Sequence, residues 1–344
     1  MAANQTTVVT SHSVLNYVGM LFNKGNTKTP FSTLIGGKSR TTNAWKFATS
    51  LDYTSSGGTA QPTITETASL TAPTREFVTR TQNVNVCQIY QRAIKISYGK
   101  LSSMGSLSGI NIAGGQPNPA NELDFQVAAA MAGIAQDIEY VFLNGAYQDG
   151  NYDDVAYKTK GITAAITTNA VAAGSTPLDF WKVAEAIEKI AGYAPTNNLV
   201  LLAKPVNIMQ FNADCSANGM TIVPNSREIN GIRVSEVITP FGNVAIVPDA
   251  LCASGTALIV DPSVCAPVYM PVPGKGNFFI EALSKTGAAD DYQIYGQVGL
   301  DYGCEVCHAK ITGLTTSFTA PTYSRSVFIA NTTSSPVPTQ TITG

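Results

Sequence analysis

The sequence predicts an α+β protein in which strands flank one long helix. The helical pattern covers residues 121–144, where apolar side chains recur every three or four positions. Strand-like alternation occurs before it, at 45–48 and 76–96, and after it, from 263 onward. Between 176 and 262 helical and strand patterns alternate, which is typical of a compact α/β lobe.

Charged side chains are scarce in this chain. The 21 basic and 23 acidic residues make up 13% of 344, about half the usual share. Apolar residues make up 44%, which excludes a disordered chain and allows a large core. Such a surface suits contact with other protein, and it also fits a secreted β-rich adhesin. The net charge of −2 gives no basic footprint for nucleic acid.

The N-terminus lacks a basic region followed by an apolar core, so we expect no signal peptide, which disfavours the adhesin. No apolar run reaches the ~18 residues that cross a bilayer, so we expect no membrane contact. In a cytosol the six cysteines are expected to be mostly reduced, without a disulfide framework. They are Cys87, Cys215, Cys252, Cys265, Cys304 and Cys307.

The predicted long helix is roughly 36 Å long at about 1.5 Å per residue. Asn118 or Asn121 can cap its start, and Asn144-Gly145 predicts a left-handed stop. An ordinary core helix of a large enzyme would show the same periodicity. Its apolar face consists of Leu123, Val127, Met131, Ile134, Ile138 and Val141.

A long two-stranded ribbon is predicted before this helix, with a flexible tip near Gly57-Gly58. Residues 51–73 are rich in Thr, Ser, Gly and Pro, and strand patterns lie on either side of them. An isolated ribbon is marginal in water, so a second subunit is the expected support. The residues predicted to contact that subunit are Trp45, Phe47, Leu51, Tyr53, Ile64, Phe77, Val78 and Arg80.

Several shorter elements complete the prediction. The first 40 residues form an arm with one helix at Val14–Phe22, and a strand-like piece lies at 161–168. A second helix is expected to be capped by Ser175 or Thr176, with Pro177 in its first turn. The polar stretch 315–344 is predicted to be a tail or a small hairpin.

The sharpest local motif is Cys304-Glu305-Val306-Cys307-His308. C-x-x-C-H is the haem-attachment pattern, and C-x-x-C alone suits a redox pair or half of a zinc site. Haem attachment needs export, and a structural zinc needs four ligands although the only other histidine is His12. We therefore expect a chance spacing with no metal and no cofactor. A cytosolic redox or metal protein that uses these residues is the alternative from another class.

No catalytic residues are predicted. His12 and His308 are the only candidate imidazole bases, and neither has a nucleophile-like context. The acidic pairs Asp153-Asp154 and Asp290-Asp291 lie among Gly, Tyr and Ala residues, where solvated turns are expected. The Gly-Gly pairs lack the surroundings of a phosphate-binding loop. The sequence therefore does not predict an enzyme.

The order of these parts resembles the major capsid protein of tailed double-stranded DNA bacteriophages. The similarity covers most of residues 14–314. The stretches that carry it are Tyr17-Val18 to Thr29-Pro30-Phe31 and Ile35-Gly36-Gly37, Cys87-Gln88-Ile89-Tyr90, Asp137-Ile138-Glu139, Phe241-Gly242, Leu283 to Ala288, and Gly299-Leu300 through Ala309 to Gly313-Leu314.

The resemblance implies an α+β fold of the Hong Kong 97-like capsid type. The parts that it implies are an N-terminal arm (1–44), an extended loop (45–90), a peripheral domain (91–175) with a spine helix (121–144), an axial domain (176–262), the peripheral sheet (263–314) and a tail or add-on hairpin (315–344).

The function that the resemblance implies is structural. Hexamers and pentamers of the chain would tile an icosahedral shell around double-stranded DNA that is packaged without sequence preference. The implied partners are other copies of the chain, together with portal and scaffold or decoration proteins. The implied location is the virion, after assembly in the host cytoplasm. An encapsulin-like cellular compartment of the same fold is the alternative.

Some members of the resembled family weld their shells by a lysine–asparagine bond, with the lysine on the extended loop. Here no lysine occurs between Lys46 and Lys95, so we expect no such bond. Denaturing, reducing electrophoresis of intact shells should give a single band near 36.2 kDa. A ladder of covalent multimers would contradict this prediction.

Overall fold

The computed structural model describes residues 29–53, 61–73, 75, 77–99, 122–151, 153–218, 222–229 and 232–318. The predicted helix at Val14–Phe22, the caps at Asn118 and Asn121, the ribbon tip near Gly57-Gly58 and most of the tail at 315–344 lie outside these ranges.

The first half of the described chain is dominated by one long helix and the strands before it. Its elements are α1 (Pro30–Ile35), a 3₁₀ turn (Gly36–Lys38), β1 (Arg40–Thr41), β2 (Lys46–Tyr53), α2 (Glu66–Ser69), β3 (Arg80–Val86), β4 (Gln88–Ser97), α3 (Glu122–Asn144), α4 (Ile162–Ala165) and β5 (Ala170–Ala172).

The second half alternates helices with strands and then becomes mainly β. Its elements are α5 (Phe180–Ala191), β6 (Val200–Ala203), α6 (Pro205–Ala217), β7 (Ile222–Ile229), β8 (Ile232–Thr239), β9 (Gly242–Pro248), β10 (Thr256–Val260), β11 (Ala266–Tyr269), β12 (Phe278–Ala282), β13 (Ala289–Asp301), a 3₁₀ turn (Glu305–Cys307) and β14 (Ala309–Thr312).

The first sheet is organised around β13, its longest strand. One edge of β13 pairs antiparallel with β4 from Ala289↔Ser97 to Val298↔Gln88. The other edge pairs first with β12 and then with β11, and β1 adds in parallel to β11. The strand that leads away from the ribbon is therefore fixed to the centre of this sheet.

The second sheet has the order β5-β14-β10-β6-β9-β8-β7. Its central strands β6, β9 and β10 are apolar on both faces, which is the pattern of strands covered on two sides. One face contributes Val200, Leu202 and Val260 to a core with α3. The opposite face contributes Leu201 and Ile259 to a second core with α5 and α6.

The first core also contains Ile94, Ile294 and Val298 of the first sheet. Since both sheets contribute to one apolar cluster, the predicted peripheral and axial domains share buried contacts. Strands β5 and β14 fall outside residues 176–262 and yet belong to the second sheet. The domain boundaries given above stay a prediction.

The helix α3 spans Glu122–Asn144 and matches the predicted periodicity closely. Ile134 is buried, and Leu123, Val127, Ile138 and Val141 pack against the same core. Met131 differs, because its side chain is exposed.

The predicted left-handed stop at Asn144-Gly145 was wrong. Gly145 is not among the residues with positive φ. A Cβ there would lie 2.5 Å from the carbonyl oxygens of Val141 and Thr159, and the Gly161 amide donates to the Gly145 carbonyl at 2.9 Å. The glycine is needed here for close backbone approach rather than for a left-handed conformation.

Two other local predictions were wrong. The piece at 161–168 forms the helix α4 instead of a strand, and the strand β5 begins only at Ala170. The second helix is capped by Asp179, whose carboxylate accepts from the Lys182 amide at 2.8 Å, and not by Ser175 or Thr176. Asp is among the preferred N-cap residues, so the geometry is ordinary.

A buried carboxylate joins the N-terminal segment to α3. Glu139 is fully buried and accepts from the backbone amides of Phe31 and Ser32, both at 2.7 Å. The Ser32 hydroxyl donates to the same carboxylate. These donors hold α1 against the C-terminal third of α3.

The carboxyl group of Asp249 lies next to the Glu139 carboxylate, and protonation of either one allows a hydrogen bond between them. Asp249 Oδ1 accepts from the Leu251 amide at 2.8 Å, whereas Oδ2 has no N–H or O–H donor among the described residues. Two carboxyl groups in this position need a proton between them. Burial, followed by the hydrogen bond to Asp249, raises the pKa of Glu139 to about 8, and burial also raises the pKa of Asp249.

The pair makes the stability of the unassembled subunit depend on pH. Because the folded pKa of Glu139 lies above its ordinary value of 4.5, the folded state retains a proton that the unfolded chain releases. The free energy of unfolding should therefore fall as pH rises from about 4.5 to about 8, by on the order of a few kcal/mol. Urea denaturation at a series of pH values measures this slope.

The variant Asp249→Asn distinguishes the release of this shared proton from other causes of lower stability at alkaline pH. An amide at this position donates to Glu139 and still accepts from Leu251, so the variant should lose most of the slope and gain stability at about pH 8. Glu139→Gln is the contrasting control. Its amide cannot accept both the Phe31 and the Ser32 N–H, so it should be less stable at every pH. An unchanged slope in Asp249→Asn would contradict the assignment.

Candidate inter-subunit surface

The ribbon before α3 consists of β2 and β3 paired antiparallel, from Lys46↔Val86 to Tyr53↔Arg80, with an irregularity between Ala48 and Ser50. The described part of the chain gives β2 no other strand partner. Residues 61–73 and 77–79 form the rest of the described loop and include only the short helix α2.

The base of the ribbon is fixed to its own subunit. The Trp45 ring stacks on Tyr157 with 4.9 Å between centroids and 10° between planes. The Cys87 amide donates to the Trp45 carbonyl at 2.9 Å. Lys46 forms an ion pair with Asp149 at 2.5 Å, although both side chains are solvated and the pair contributes little to stability.

The buried side chain of Asn85 sets where the ribbon leaves the body. Its amide nitrogen donates to the carbonyls of Lys160 and Leu300 at 3.0 and 2.7 Å. Its oxygen accepts from the Lys160 and Val86 amides at 2.8 and 2.9 Å. One side chain therefore joins three segments that are distant in sequence.

Beyond this base the apolar side chains of the ribbon and loop are exposed. A contiguous segment rich in exposed apolar groups marks a contact surface more often than single exposed residues do. The exposed fractions are 56% for Leu51, 67% for Tyr53, 76% for Ile64, 85% for Leu70, 89% for Phe77 and 52% for Val78.

The eight predicted contact residues separate into two groups. Trp45 and Phe47 are half-buried, and the Phe47 ring lies against Gly299 of their own subunit. The remaining six are exposed: Leu51, Tyr53, Ile64, Phe77, Val78 and Arg80. Their contact with a neighbouring subunit stays a prediction.

Sequence reasoning missed two residues of the same surface, Leu70 and Val84, which are also exposed. Leu70 was recognisable as an isolated apolar residue in a Thr/Ser-rich stretch. Val84 was not, because its place on the outer face depends on the register of β3 against β2.

The C-x-x-C-H motif lies at the turn between β13 and β14. The His308 ring is buried. Its Nδ1 accepts from the Asp261 amide at 3.2 Å, and its Nε2 donates to the Tyr302 carbonyl at 2.8 Å. Burial lowers the pKa of His308. Since both ring nitrogens are used within the subunit, neither is directed at a ligand. Within the described ranges no group of three or more His, Cys, Asp or Glu side chains is arranged to hold a metal ion.

A cavity of 420 Å³ lies between residues 177–179, which precede α5, helix α6 and residues 315–318. Its polar groups already serve the fold: Asp214 accepts from the Phe180 amide at 2.8 Å, and Gln210 donates to the carbonyls of Thr315 and Ser317. It contains no nucleophile paired with a base. The described helices also include none that is both long and apolar enough to cross a bilayer.

Comparison with models of protein families shows which family the chain belongs to. A family model described as SU10 major capsid protein matches residues 2–315. The chain belongs to this family. The SU10 major capsid proteins are structural, so the chain is a shell-forming capsid protein of the virion and not an enzyme.

Solved structures similar to this SU10-family chain have the same fold. The chain is 12% identical to a chain of Mycobacterium phage Patience, with a TM-score of 0.57 and coverage of 89% of this chain and 88% of that one. For the capsid asymmetric unit of cyanophage A-1(L) the identity is 12%, the TM-score 0.56 and the coverage 84% and 93%. For the SrpI encapsulin of Synechococcus elongatus PCC 7942 these values are 11%, 0.58, 91% and 100%. Comparison with curated protein sequences found no match.

These findings confirm the predicted family, the α+β capsid fold and the shell-forming role. Self-association follows from membership of a family of shell proteins.

Replacing Asn85 tests the anchoring of the ribbon. Asn85→Ala removes four hydrogen bonds and leaves buried groups of Lys160 and Leu300 unpaired, so the subunit should lose about 2–4 kcal/mol of stability. Urea denaturation of the unassembled subunit measures the loss. Asn83→Ala is the matched control, because Asn83 donates only within the ribbon, to Ser50 and Asp52, and should lose less than about 1 kcal/mol. Equal losses would contradict the role given to Asn85.

Proposed function

We propose that the chain assembles as hexamers and pentamers into an icosahedral shell that encloses phage double-stranded DNA, and that the ribbon and loop 45–90 bind the neighbouring subunit. The main support for this proposal is the difference between the anchored base of the ribbon and its exposed distal part. Its base is held by Asn85 and Trp45, whereas its distal apolar side chains are exposed.

The free energy gained by apolar burial, compared with the cost of association, favours a repeated contact over an isolated dimer. Burial of a large apolar side chain contributes about 1.5–3 kcal/mol, and the association of two proteins costs about 4–15 kcal/mol before any contact is counted. The few apolar side chains of one ribbon barely exceed that cost. In a closed shell each subunit both gives and receives a ribbon, so modest contacts are multiplied.

The backbone of the ribbon supports the same arrangement. The free edge of β2 presents amide and carbonyl groups that can pair with a strand of another subunit. This pairing needs no additional side chains, which fits the Thr- and Ser-rich composition of residues 51–73.

The role toward DNA is enclosure rather than recognition. The almost balanced charge of 21 basic and 23 acidic residues offers no surface for reading sequence. The further partners in this proposal are portal and scaffold or decoration proteins, and the site of assembly is the host cytoplasm. These partners and this site of assembly are inferred from the role of a major capsid protein in a tailed phage.

A cellular compartment is the second candidate function, because the fold is also similar to that of an encapsulin. The contents of the particles separate the two candidates. Particles purified from infected cells should contain nuclease-protected double-stranded DNA if the chain forms a phage shell, and a protein cargo without such DNA if it forms a compartment.

Phe77→Ser combined with Val78→Ser should prevent assembly. Both residues are largely exposed, so the folded subunit should keep its stability within about 0.5 kcal/mol. The loss of apolar contact, repeated at every interface, should lower the yield of particles more than tenfold. Sedimentation velocity gives the yield, and urea denaturation gives the subunit stability.

Met209→Ser is the matched control, because Met209 is equally apolar, is 50% exposed and lies on α6, away from the ribbon. It should leave the yield of particles near that of the unchanged chain. Normal assembly of the double variant would exclude the proposed ribbon surface, and equal failure of both variants would show that the effect is not specific to the ribbon.

A further inference from the structure

The shell function does not explain the two thiols of the C-x-x-C motif. Cys304 precedes and Cys307 ends the 3₁₀ turn between β13 and β14, and the Cys307 amide donates to the Cys304 carbonyl at 3.2 Å. This bond closes a turn across four residues, which brings the two Cα atoms within about 7 Å. A disulfide requires Cα atoms at about this separation.

The turn is held rigidly by groups other than the thiols. The Glu305 carboxylate accepts from the Thr167 amide at 2.6 Å and also from the side chains of Thr167 and Thr168. Asn169 donates to the carbonyls of Val306 and His308 at 2.9 and 3.1 Å. The thiols are therefore kept together before any bond forms between them.

Exposure distinguishes this pair from the other cysteines. Cys87, Cys215, Cys252 and Cys265 are buried, whereas Cys304 and Cys307 are partly exposed. Reagents in solution can therefore reach the pair in the folded subunit. Burial nevertheless raises the pKa of Cys307 to about 11, so its thiolate is scarce at neutral pH and oxidation should accelerate as the pH rises.

We infer that Cys304 and Cys307 form a redox site, a dithiol that low-molecular-weight disulfides of the glutathione type oxidise to an intramolecular disulfide. One thiolate attacks a sulfur of the oxidised reagent and forms a mixed disulfide, releasing one reduced thiol. The second thiolate then attacks the protein sulfur of the mixed disulfide and releases a second reduced thiol. Two protein thiols are oxidised, one reagent disulfide is reduced, and the protons pass to the two released thiolates.

The bond would close the turn that links the two sheets. Cys304 Sγ also lies 3.8 Å from Asp52 Oδ1 on β2, so the ribbon strand passes close to this turn. Cells keep thiols reduced, whereas virion surfaces are oxidising. The timing of the reaction therefore rests on the proposed shell function: the dithiol persists during assembly and oxidises after release. The chemistry of the pair does not depend on assembly.

The test uses the full chain, both as particles and as dissociated subunits. Each sample is treated with oxidised or reduced glutathione at about pH 8, a pH that favours thiolate formation. It is then denatured, alkylated and digested with trypsin. The peptide 286–310 contains Cys304 and Cys307 and no other cysteine. After oxidation it should lose two hydrogens in mass and resist alkylation, while the four buried cysteines are all alkylated.

Stability provides the second measurement. The oxidised subunit should unfold about 2–4 °C above the reduced one. Cys304→Ser and Cys307→Ser should each abolish this redox-dependent shift while still forming particles.

Each possible result bears on the inference. Six alkylated cysteines after oxidation, in both particles and subunits, would overturn it. Covalent dimers on a non-reducing gel that disappear in Cys304→Ser would also overturn it, because the bond would then join two subunits. Failure of the unchanged chain to form particles would contradict the proposed function and leave the peptide measurement valid.

Discussion

A two-stranded ribbon cannot cover its own faces, and this constraint governs the architecture of the subunit. A hairpin in isolation is marginal in water, so β2 and β3 need support at both ends. The described structure provides it at the base, where Asn85 joins the backbones near 160 and 300 and the Trp45 ring stacks on Tyr157. At the distal end, where Leu51 and Tyr53 are exposed, the proposed function assigns this support to another copy of the chain.

Buried polar groups, rather than apolar contact alone, fix how the segments are oriented. Glu139 holds α1 against α3, and the His308 ring bridges Asp261 and Tyr302. Each has directional partners, so a displaced segment would leave a buried group unpaired. The apolar cores supply most of the driving force for folding, and these groups select one arrangement.

The features that could be predicted from sequence are those that depend on local periodicity. The helix α3 was predicted almost to the residue, because its apolar spacing repeats over six turns. The four-residue α4 was not, because Ile162-Thr163-Ala164-Ala165 resembles a strand and is turned into a helix next to the contact of Gly161 with Gly145. The exposed Leu51 and Tyr53 of β2 fit the alternation of a strand, whereas the anchor of the ribbon was not predictable, because Asn85 is separated by 215 positions from Leu300. The pairing of Glu139 with Asp249 was hidden for the same reason.

The second sheet is covered on both faces, and one of its cores continues into the first sheet. Close-packed interiors resist compression and transmit strain. We therefore expect the body of the subunit to behave as a stiff unit. In the proposed shell, differences in curvature between five-fold and six-fold positions would then be absorbed by the ribbon beyond its base, which Trp45 and Asn85 hold in place. Stiffness and adaptability would thus reside in separate parts of one polypeptide.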